Sequence, residues 1–325
     1  MLLSFAGILE SPGNDQRWNQ AVENAYQLNQ IKVEVNEGPL IFTETKSLSG
    51  VKYISTAPFL SHGLGTLKKD FILSSKEIEL IRKFVEDSGY EFALLKSAVK
   101  PASDATNFFL REEFFTFLFN LDGGNEKIMK RVPGKTRNQI RKSLKGDFRV
   151  CVGREEYLDP VFKILSRCWR DLGTPSHGKN VLREVLNNFK ENEMWFHIIY
   201  DHNTPVSAAL VFNTGTVVHH PWAGTIKEYK STSVNNLLYW SIIQEGAKRG
   251  CKYFDMGRSA INKGTYSFKE SWGTTKAPLY YIYIGKDGSF KYQDSALAEK
   301  MTSLWKFVPL SIANLMGPGL IKAVL

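Results

Sequence analysis

The sequence predicts an α+β fold made of two mixed units, not a doubly wound parallel sheet. Three observations carry this. In the first half one clear helix stands between strand-like runs. In the second half three strand-like runs follow one another as a meander, before a helix and two more strands. No glycine-rich dinucleotide or phosphate loop follows any strand. At about 150 residues per domain, a chain of 325 residues has room for about two such units. Hydrophobic residues at 43%, with 13% aromatic, suffice for a sizeable core and exclude a disordered chain.

In the first half, VKYISTAPFL (51–60) reads as a strand running into the loop SHGLG (61–65). SSKEIELIRKFVEDSG (74–89) is a helix, capped by Ser74 or Ser75 and followed by Gly89. Its apolar residues Ile78, Leu80, Ile81, Phe84 and Val85 fall on one broad face. YEFALLKSA (90–98) and FFTFLFNL (114–121) read as strands. The segment 120–150 turns at Gly123 and Gly124 and is the most basic of the chain. It carries a helix from Thr136 to Lys145 that ends at Gly146. The domain junction is placed near here.

In the second half, 155–172 is helical, with Phe162, Leu165 and Trp169 on one face, and 181–192 is a second helix. MWFHIIY (194–200), VSAALVFN (206–213) and TVVHHPWAGT (216–225) are the meander. SVNNLLYWSIIQEGAKRG (233–250) is a helix closed by Gly250. CKYFDMG (251–257) and APLYYIYIG (277–285) complete the strands.

Composition narrows the chemistry. Lys and Arg outnumber Asp and Glu by 42 to 33, a net charge of +9 that favours acidic partners such as phosphates, anionic lipid or nucleic acid. Cys151, Cys168 and Cys251 have no metal-ligand spacing and are too few for a disulfide framework. The N-terminus has no basic region before its apolar residues, and no run reaches the roughly 18 apolar residues of a membrane span, so a cytoplasmic location is expected. There is no GxxxxGK[ST], HExxH, CxxC or GxSxG elbow. A nucleotide hydrolase, a zinc enzyme and an α/β-hydrolase are therefore disfavoured. A transferase using an activated donor is not.

Chemistry-bearing residues gather in a few places. In FDMGRSAINKGTYSFKESWGT (254–274), Asp255 ends a strand and Gly257 lets the chain turn. Arg258, Ser259, Tyr266, Lys269, Glu270 and Trp272 follow on one strand–loop–strand corner. Lys269 can stabilise negative charge on an attacked carbonyl, and Arg258 can grip a phosphate or carboxylate. The alternative is a buried Asp255–Arg258 ion pair that ties the loop down. Arg137 and Arg141, four apart, share a helix face suited to a phosphate-rich ligand or simply to solvent. His177 lies in the loop RDLGTPSHG (170–178), as an acid or base or as a bystander. His219 and His220, beside Trp222, are adjacent on a strand, so at most one faces any site. The helix start at 229–236 offers backbone N–H groups to phosphate, or merely caps well. The apolar tail 304–325 either docks on the body or lies at a membrane surface.

Taken in order, KTRNQIRKSLK, RDLGTPSHG, HHPWAG, NNLLYWSIIQEGAKRG and FDMGRSAINKGTYSFKESWG resemble the FemAB-like branch of the GNAT acyltransferase superfamily. More narrowly they are similar to the FemAB-related proteins of exosortase (PEP-CTERM) and exopolysaccharide systems. The resemblance covers about residues 130–285 well and the first 125 in general layout, through STAPFLSHGLG.

The resemblance implies tandem GNAT-like domains, each a mixed, mostly antiparallel sheet flanked by helices, at 1–125 and 126–293, with an apolar tail at 294–325. It implies transfer of an acyl or aminoacyl group to an amine of a cell-envelope, peptidoglycan or exopolysaccharide precursor. The donor would be acyl-CoA, acyl-carrier protein or aminoacyl-tRNA, with no metal and no tightly bound cofactor. The chain has neither a coiled-coil arm nor an R/Q-x-x-G-x-G/A signature, so no one donor is singled out. Lys269 matches the lysine of the FK..(F/W)G block. Arg137, Arg141 and Arg258 are the candidates for the precursor's phosphates. Asp255 or Glu270, or the substrate itself, would deprotonate the attacking amine. Ser259, Tyr266, Trp222, Trp272 and His177 are the remaining candidates for substrate binding. The expected partners are a phosphorylated envelope or glycan precursor, tRNA or acyl-carrier protein, and the inner membrane through the tail. Two readings compete: a long-chain N-acyl amino acid synthase with an apolar tunnel near Trp222 and Tyr239, and a non-catalytic binder of a phosphorylated glycan or lipid carrier.

Overall fold

Twelve strands form one sheet in a computed structural model that describes residues 10–66, 68, 71–261, 263–286 and 302–323. The first half contributes α1 (Gln16–Tyr26), β1 (Gln30–Val33), β2 (Leu40–Lys46), β3 (Lys52–Ser55), α2 (Ser75–Asp87), β4 (Phe92–Ser97) and β5 (Phe109–Asn120). The second half begins with α3 (Gly124–Arg131), α4 (Gly134–Leu144), β6 (Phe148–Gly153), α5 (Leu158–Leu172) and α6 (Lys179–Asn188). It continues with β7 (Met194–Asp201), β8 (Thr204–Asn213), β9 (Val217–Thr225), α7 (Val234–Lys248), β10 (Tyr253–Asp255), β11 (Ser259–Ala260), α8 (Gly264–Glu270), β12 (Thr275–Gly285) and α9 (Leu310–Ile321).

The strand order is β1-β2-β3-β4-β12-β5-β10-β9-β8-β7-β6, with β11 paired to β5. All described pairs are antiparallel except β3 with β4 and β9 with β10. Each parallel pair is bridged by a helix, α2 in the first half and α7 in the second, so both halves hold the same strand–helix–strand unit. This is the mixed α+β plan the sequence predicts. Strand β12 belongs to the second half by sequence, yet it fills the gap between β4 and β5 and joins the halves through backbone hydrogen bonds.

Burial follows the periodicities. Ser74 caps α2 in a capping box with Glu77, and Ile78, Ile81 and Val85 enter the core. Leu80 does not: it is 37% exposed, because it lies two residues, over half a turn, from Ile78. Helix α7 is apolar nearly all round and correspondingly buried, between the sheet and the basic helix α4. Trp18 and Tyr26 of α1 share one core with Trp222, Trp195 and Phe212 of the second half.

Three expectations are corrected. The strand expected over 51–60 stops at Ser55, since Ala57 and Phe59 take left-handed backbone that ends pairing. The basic segment holds two helices, not one: α3 begins directly on the turn at Gly123 and Gly124. The strand–loop–strand corner is instead strand–loop–helix, because residues 264–270 coil into α8. Residues 294–301 of the tail lie outside the described residues. Helix α9 docks on α5, and a Cβ on Gly317 would lie 2.6 Å from the Ser176 carbonyl oxygen.

Candidate active site

Strand β10 is short. It pairs with β9 only through Tyr253–Val217, Phe254–Val218 and Asp255–His219, and then the two strands part while β9 runs on to Thr225. The chain leaving β10 turns at Gly257, whose φ of +74° suits glycine. It crosses Arg258, pairs briefly as β11 with β5, and enters α8. The last turn of α8 returns Lys269 to that corner. Its Nζ donates to the carbonyl oxygens of Gly257 at 2.9 Å and Arg258 at 3.0 Å.

Lys269 is buried and has no carboxylate within ion-pair distance among the described residues. Burial, helped by the Arg258 charge and opposed by Asp255, lowers its amine to about 7. Asp255 is buried too. Its Oδ1 accepts the Gly257 N–H at 2.7 Å and the Thr116 hydroxyl, and its Oδ2 lies 3.4 Å from His219 Nδ1. Burial pushes this carboxyl up, but the His219 and His62 imidazoles and the Thr116 hydroxyl outweigh it and hold the group below the usual carboxylate range. The expected alternative, an Asp255–Arg258 pair, is not formed. Arg258 instead donates from Nη1 to Tyr281 Oη at 2.7 Å, with its guanidinium 4.6 Å from the Phe114 ring centre.

The loop 57–65 closes the corner from the first half. Ser61 Oγ accepts the Arg258 N–H at 3.3 Å, and the Ser61 carbonyl accepts from Tyr281 Oη at 2.8 Å. His62 lies with its ring 6.2 Å from that of His219, and neither of its nitrogens has a hydrogen-bond partner among the described residues. Burial lowers it to about 4. Lys96, on β4, donates to the Ala57 carbonyl at 3.3 Å, and burial with the Arg258 charge lowers it to about 7.

The other sequence-predicted residues divide. Ser259 is buried beside the corner and donates to Thr265 Oγ1. Tyr266 packs edge-on against Phe117 and accepts from Lys276 Nζ at 3.0 Å. Glu270 is exposed on the outer face of α8, ion-paired with Lys276 at 3.0 Å, because helical spacing turns it away from the neighbouring Lys269. Trp272 is 0% exposed, in the core against Tyr239 and Phe119. Arg137 and Arg141 lie on α4 without an ion pair among the described residues. Their helix is tied to the end of α8 by the Thr136 hydroxyl, which donates to the Ser271 carbonyl at 2.6 Å. His177 and Trp222 stack on each other, 4.4 Å between ring centres, within an aromatic cluster of Tyr26, Phe59 and Trp169. Tyr26 Oη is 2.8 Å from His177 Nδ1, and burial lowers the imidazole to about 3, so His177 is neutral near pH 7.

Sequence reasoning did not pick out Ser61, His62, Lys96, Thr116, His219 or Tyr281 for this corner. The signals were a lone lysine in an apolar strand and the opposed faces of His219 and His220. His219 turns to Asp255, while His220 packs on Tyr239 and Phe254.

The family model described as an acetyltransferase (GNAT) domain matches residues 131–270, which run from the basic helix to Lys269 and Glu270. The chain carries a GNAT acyltransferase domain. Its architecture extends to the whole sheet as tandem GNAT-like units. FemX matches with a TM-score of 0.58 at 11% identity, over 83% of this chain and 91% of that one. L-PGS from Bacillus licheniformis matches with a TM-score of 0.53 at 12% identity, over 95% and 99%. A tandem GNAT protein from the clavulanic acid biosynthesis pathway matches with a TM-score of 0.51 at 8% identity, over 84% and 88%. At these identities the likeness is one of fold. No curated protein matches the chain in sequence. In GNAT terms, β9, α7 and β10 form the parallel unit of the second half, and Lys269 stands at the mouth of its splayed strands.

Proposed function

We propose that the chain is an N-acyl- or aminoacyltransferase that moves an activated acyl group to an amine of a cell-envelope, peptidoglycan or exopolysaccharide precursor. The observation that carries this is the buried Lys269 amine, held between two backbone carbonyls beside Arg258, where the strands of a GNAT unit part. A cation fixed in a water-poor corner stabilises the oxyanion that forms when an amine attacks an ester or thioester carbonyl. Positioning of the two substrates supplies much of the remaining acceleration. Arg258, and Arg137 and Arg141 on α4, are read as the residues that receive phosphates of donor or precursor. The likeness of fold to FemX and L-PGS supports an envelope acceptor, and the GNAT domain supports acyl-CoA as donor, with aminoacyl-tRNA and acyl-carrier protein as the alternatives.

The halves are read as an N-terminal GNAT-like unit over 1–125, a catalytic unit over 126–293 and a C-terminal segment over 294–325. That segment presents Leu304, Phe307, Leu315 and Met316 to the outside and is read as a peripheral contact with the inner membrane. No described helix is long and apolar enough to cross a membrane. The long-chain reading lacks support: Trp222 and Tyr239 are packed among aromatic side chains.

The test is turnover with acyl-CoA, acyl-carrier protein and aminoacyl-tRNA against envelope and glycan amines, in wild type and Lys269→Met. Loss of turnover by a folded Lys269→Met supports the reading. Full turnover by that variant removes Lys269 from the reaction. Saturable binding of phosphorylated glycans without turnover from any donor would favour the non-catalytic binder.

A further inference from the structure

The Lys269 amine stabilises an oxyanion only where it is held and only while it is charged. Both conditions trace to one residue shut away from solvent. Asp255 is 1% exposed and ends β10 at the last residue pair that β10 makes with β9. Beyond it the strands part, so its carboxylate stands at the root of the mouth that Lys269 occupies.

Three elements converge on that carboxylate. Oδ1 accepts the Gly257 N–H of the turn at 2.7 Å and the Thr116 hydroxyl of β5. Oδ2 lies 3.4 Å from Nδ1 of His219 on β9, whose Nε2 lies 3.4 Å from the Thr214 hydroxyl. The carboxylate therefore ties both neighbouring strands to the turn. An acidic side chain that accepts the backbone N–H two residues on closes an Asx turn, and this one holds Gly257 at a φ of +74°. The carbonyl of that same glycine, with that of Arg258, receives the Lys269 amine at 2.9 and 3.0 Å.

The second condition is charge. A buried ammonium is costly unless it is paired and hydrogen-bonded. Two carbonyl dipoles solvate this one, but neither carries a full negative charge. The charged and titratable groups around Lys269 are Asp255 at the end of β10, Arg258 in the turn and His220 on β9, with the Phe117 ring of β5 centred 5.9 Å away. Glu270, next in sequence, faces outward to Lys276. Arg258 opposes the ammonium, and His220, lowered by burial to about 3, is neutral near pH 7. Among the described residues, Asp255 is thus the group whose charge favours it. Around Asp255 in turn stand His219 and His220 on β9, His62 in the 57–65 loop and Thr116 on β5.

We infer that Asp255 is the positioning residue of this site: its carboxylate fixes the turn whose carbonyls receive the Lys269 amine, and its charge keeps that amine in the ammonium form. The inference rests on the reading of Lys269 as the cation of a transferase. It gives Asp255 no contact with substrate, since the carboxylate is sealed from solvent beneath the turn. That the imidazoles and the Thr116 hydroxyl hold this carboxyl below the usual range agrees with a fixed charge and not with a group that trades protons.

The test uses the full chain carrying [13Cε]lysine, with the Lys269 resonance assigned by its loss from Lys269→Met. Its chemical shift, followed across the neutral and alkaline range, reads the titration with no substrate present. Asp255→Asn keeps an acceptor for the Gly257 N–H, and its amide meets either tautomer of His219, so it removes the charge and spares the turn. The expected result is a Lys269 titration about one unit or more below that of wild type. Asp255→Ala removes the acceptor as well. The turn then loosens, water reaches the amine, and its titration should move the opposite way, toward the ordinary lysine value of 10.5. Turnover of acetyl-CoA with glycine or glucosamine gives a second reading. For a shift of one unit, Asp255→Asn should retain about half of the wild-type kcat at pH 6 and about a tenth at pH 8, whereas a merely structural loss would be the same at both. An Asp255→Asn titration that is unchanged or raised overturns the inference, even where the probes give no turnover. An alanine variant that titrates together with the asparagine variant overturns the anchoring of the turn, and where the alanine chain does not fold the asparagine variant decides alone. Full turnover in Lys269→Met would remove the transferase reading itself, whatever the titrations show.

Discussion

The amine of Lys269 and the carbonyl of Gly257 meet at 2.9 Å, joining the last turn of α8 to the first turn after β10. A contact between two elements only twelve residues apart in the chain sets the position of a cation at the point where β9 and β10 separate. Both ends of it are constrained: Gly257 by its left-handed backbone, and Lys269 by a helix whose opposite face is in solvent.

Lys269→Met should therefore separate catalysis from folding. Removing one preorganised donor to a developing oxyanion costs about 10²–10³-fold in kcat. Burying a thioether in place of a desolvated amine removes the cost of holding a cation there but leaves the Gly257 and Arg258 carbonyls without that donor, so the two effects oppose and the melting temperature should change little. Steady-state turnover and thermal melts at pH 7 on the same preparations check both halves of this expectation. A folded variant with wild-type kcat would refute it.

Stability should rise with pH from the acid side to about pH 9. The buried imidazoles His62, lowered to about 4, and His177, His197 and His220, lowered to about 3, bind protons only when unfolded in the range up to about 6.5. Raising the pH through that range removes the advantage of the unfolded chain. Lys96 and Lys269, lowered to about 7 from 10.5, extend the rise: between those values the unfolded chain binds the proton and the folded one does not. Each lysine should add about 1.4 kcal/mol per pH unit in that window. Above pH 9 the Cys168 and Cys251 thiols, pushed up by burial to about 12 and about 11, offset the two lysines, since the unfolded chain then loses two protons that the folded one keeps. Melting temperatures should rise from pH 4 and level off between about 9 and 10. The double variant Lys96→Met/Lys269→Met should flatten the limb above pH 7 and leave the acid limb in place. A wild-type profile that falls from pH 7 to 9 would contradict the depressed lysines.

The parts of this site that could be read from sequence are those whose chemistry is local. Asp255 at a strand end, Gly257 as the turn and Lys269 in its motif lie within fifteen residues of one another. The helix that carries Lys269 was not legible, because GTYSFKE opens on glycine and spans barely two turns, too short for an amphipathic period. Lys96 was hidden for a different reason. Its strand reads as an apolar run, and nothing within that run says that β12, almost two hundred residues later, lies beside it with Tyr281 on the same face. His177 and Trp222 were visible separately, one in a loop and one on a strand. Their stacking depends on how α5 crosses β9, a tertiary contact with no local signal.

Trp272 illustrates how a motif position can be structural. It is 0% exposed and packs against Tyr239, Phe119 and Phe268, directly behind the helix that holds Lys269. Trp272→Ala should cost about 3–5 kcal/mol through the cavity it leaves, with activity lost by unfolding. Trp272→Phe should retain the fold and most of kcat, with KM for donor and acceptor unchanged. A KM raised severalfold in a stable Trp272→Phe enzyme would instead place the indole against substrate.

The C-terminal segment offers the last prediction. Its inner residues are committed to the protein: Trp305, Ala313 and Ile321 are buried, and the Val308 carbonyl accepts from Arg170 at 3.1 Å. Its outer residues are not, with Phe307 85% and Leu315 82% exposed. Moving a large apolar side chain out of water is worth about 1.5–3 kcal/mol, so these two residues can contribute substantially to lipid affinity. The net charge of +9 adds attraction to an anionic surface. Wild type should co-sediment with vesicles containing phosphatidylglycerol, and Phe307→Ser/Leu315→Ser should reduce that binding about tenfold or more without lowering the melting temperature. Gly317→Leu is the contrasting variant. Its Cβ would press into the Ser176 backbone, so it should lower the melting temperature by undocking α9 from the 170–178 loop. Equal sedimentation of wild type and the double serine variant would show that these side chains face solvent and not lipid.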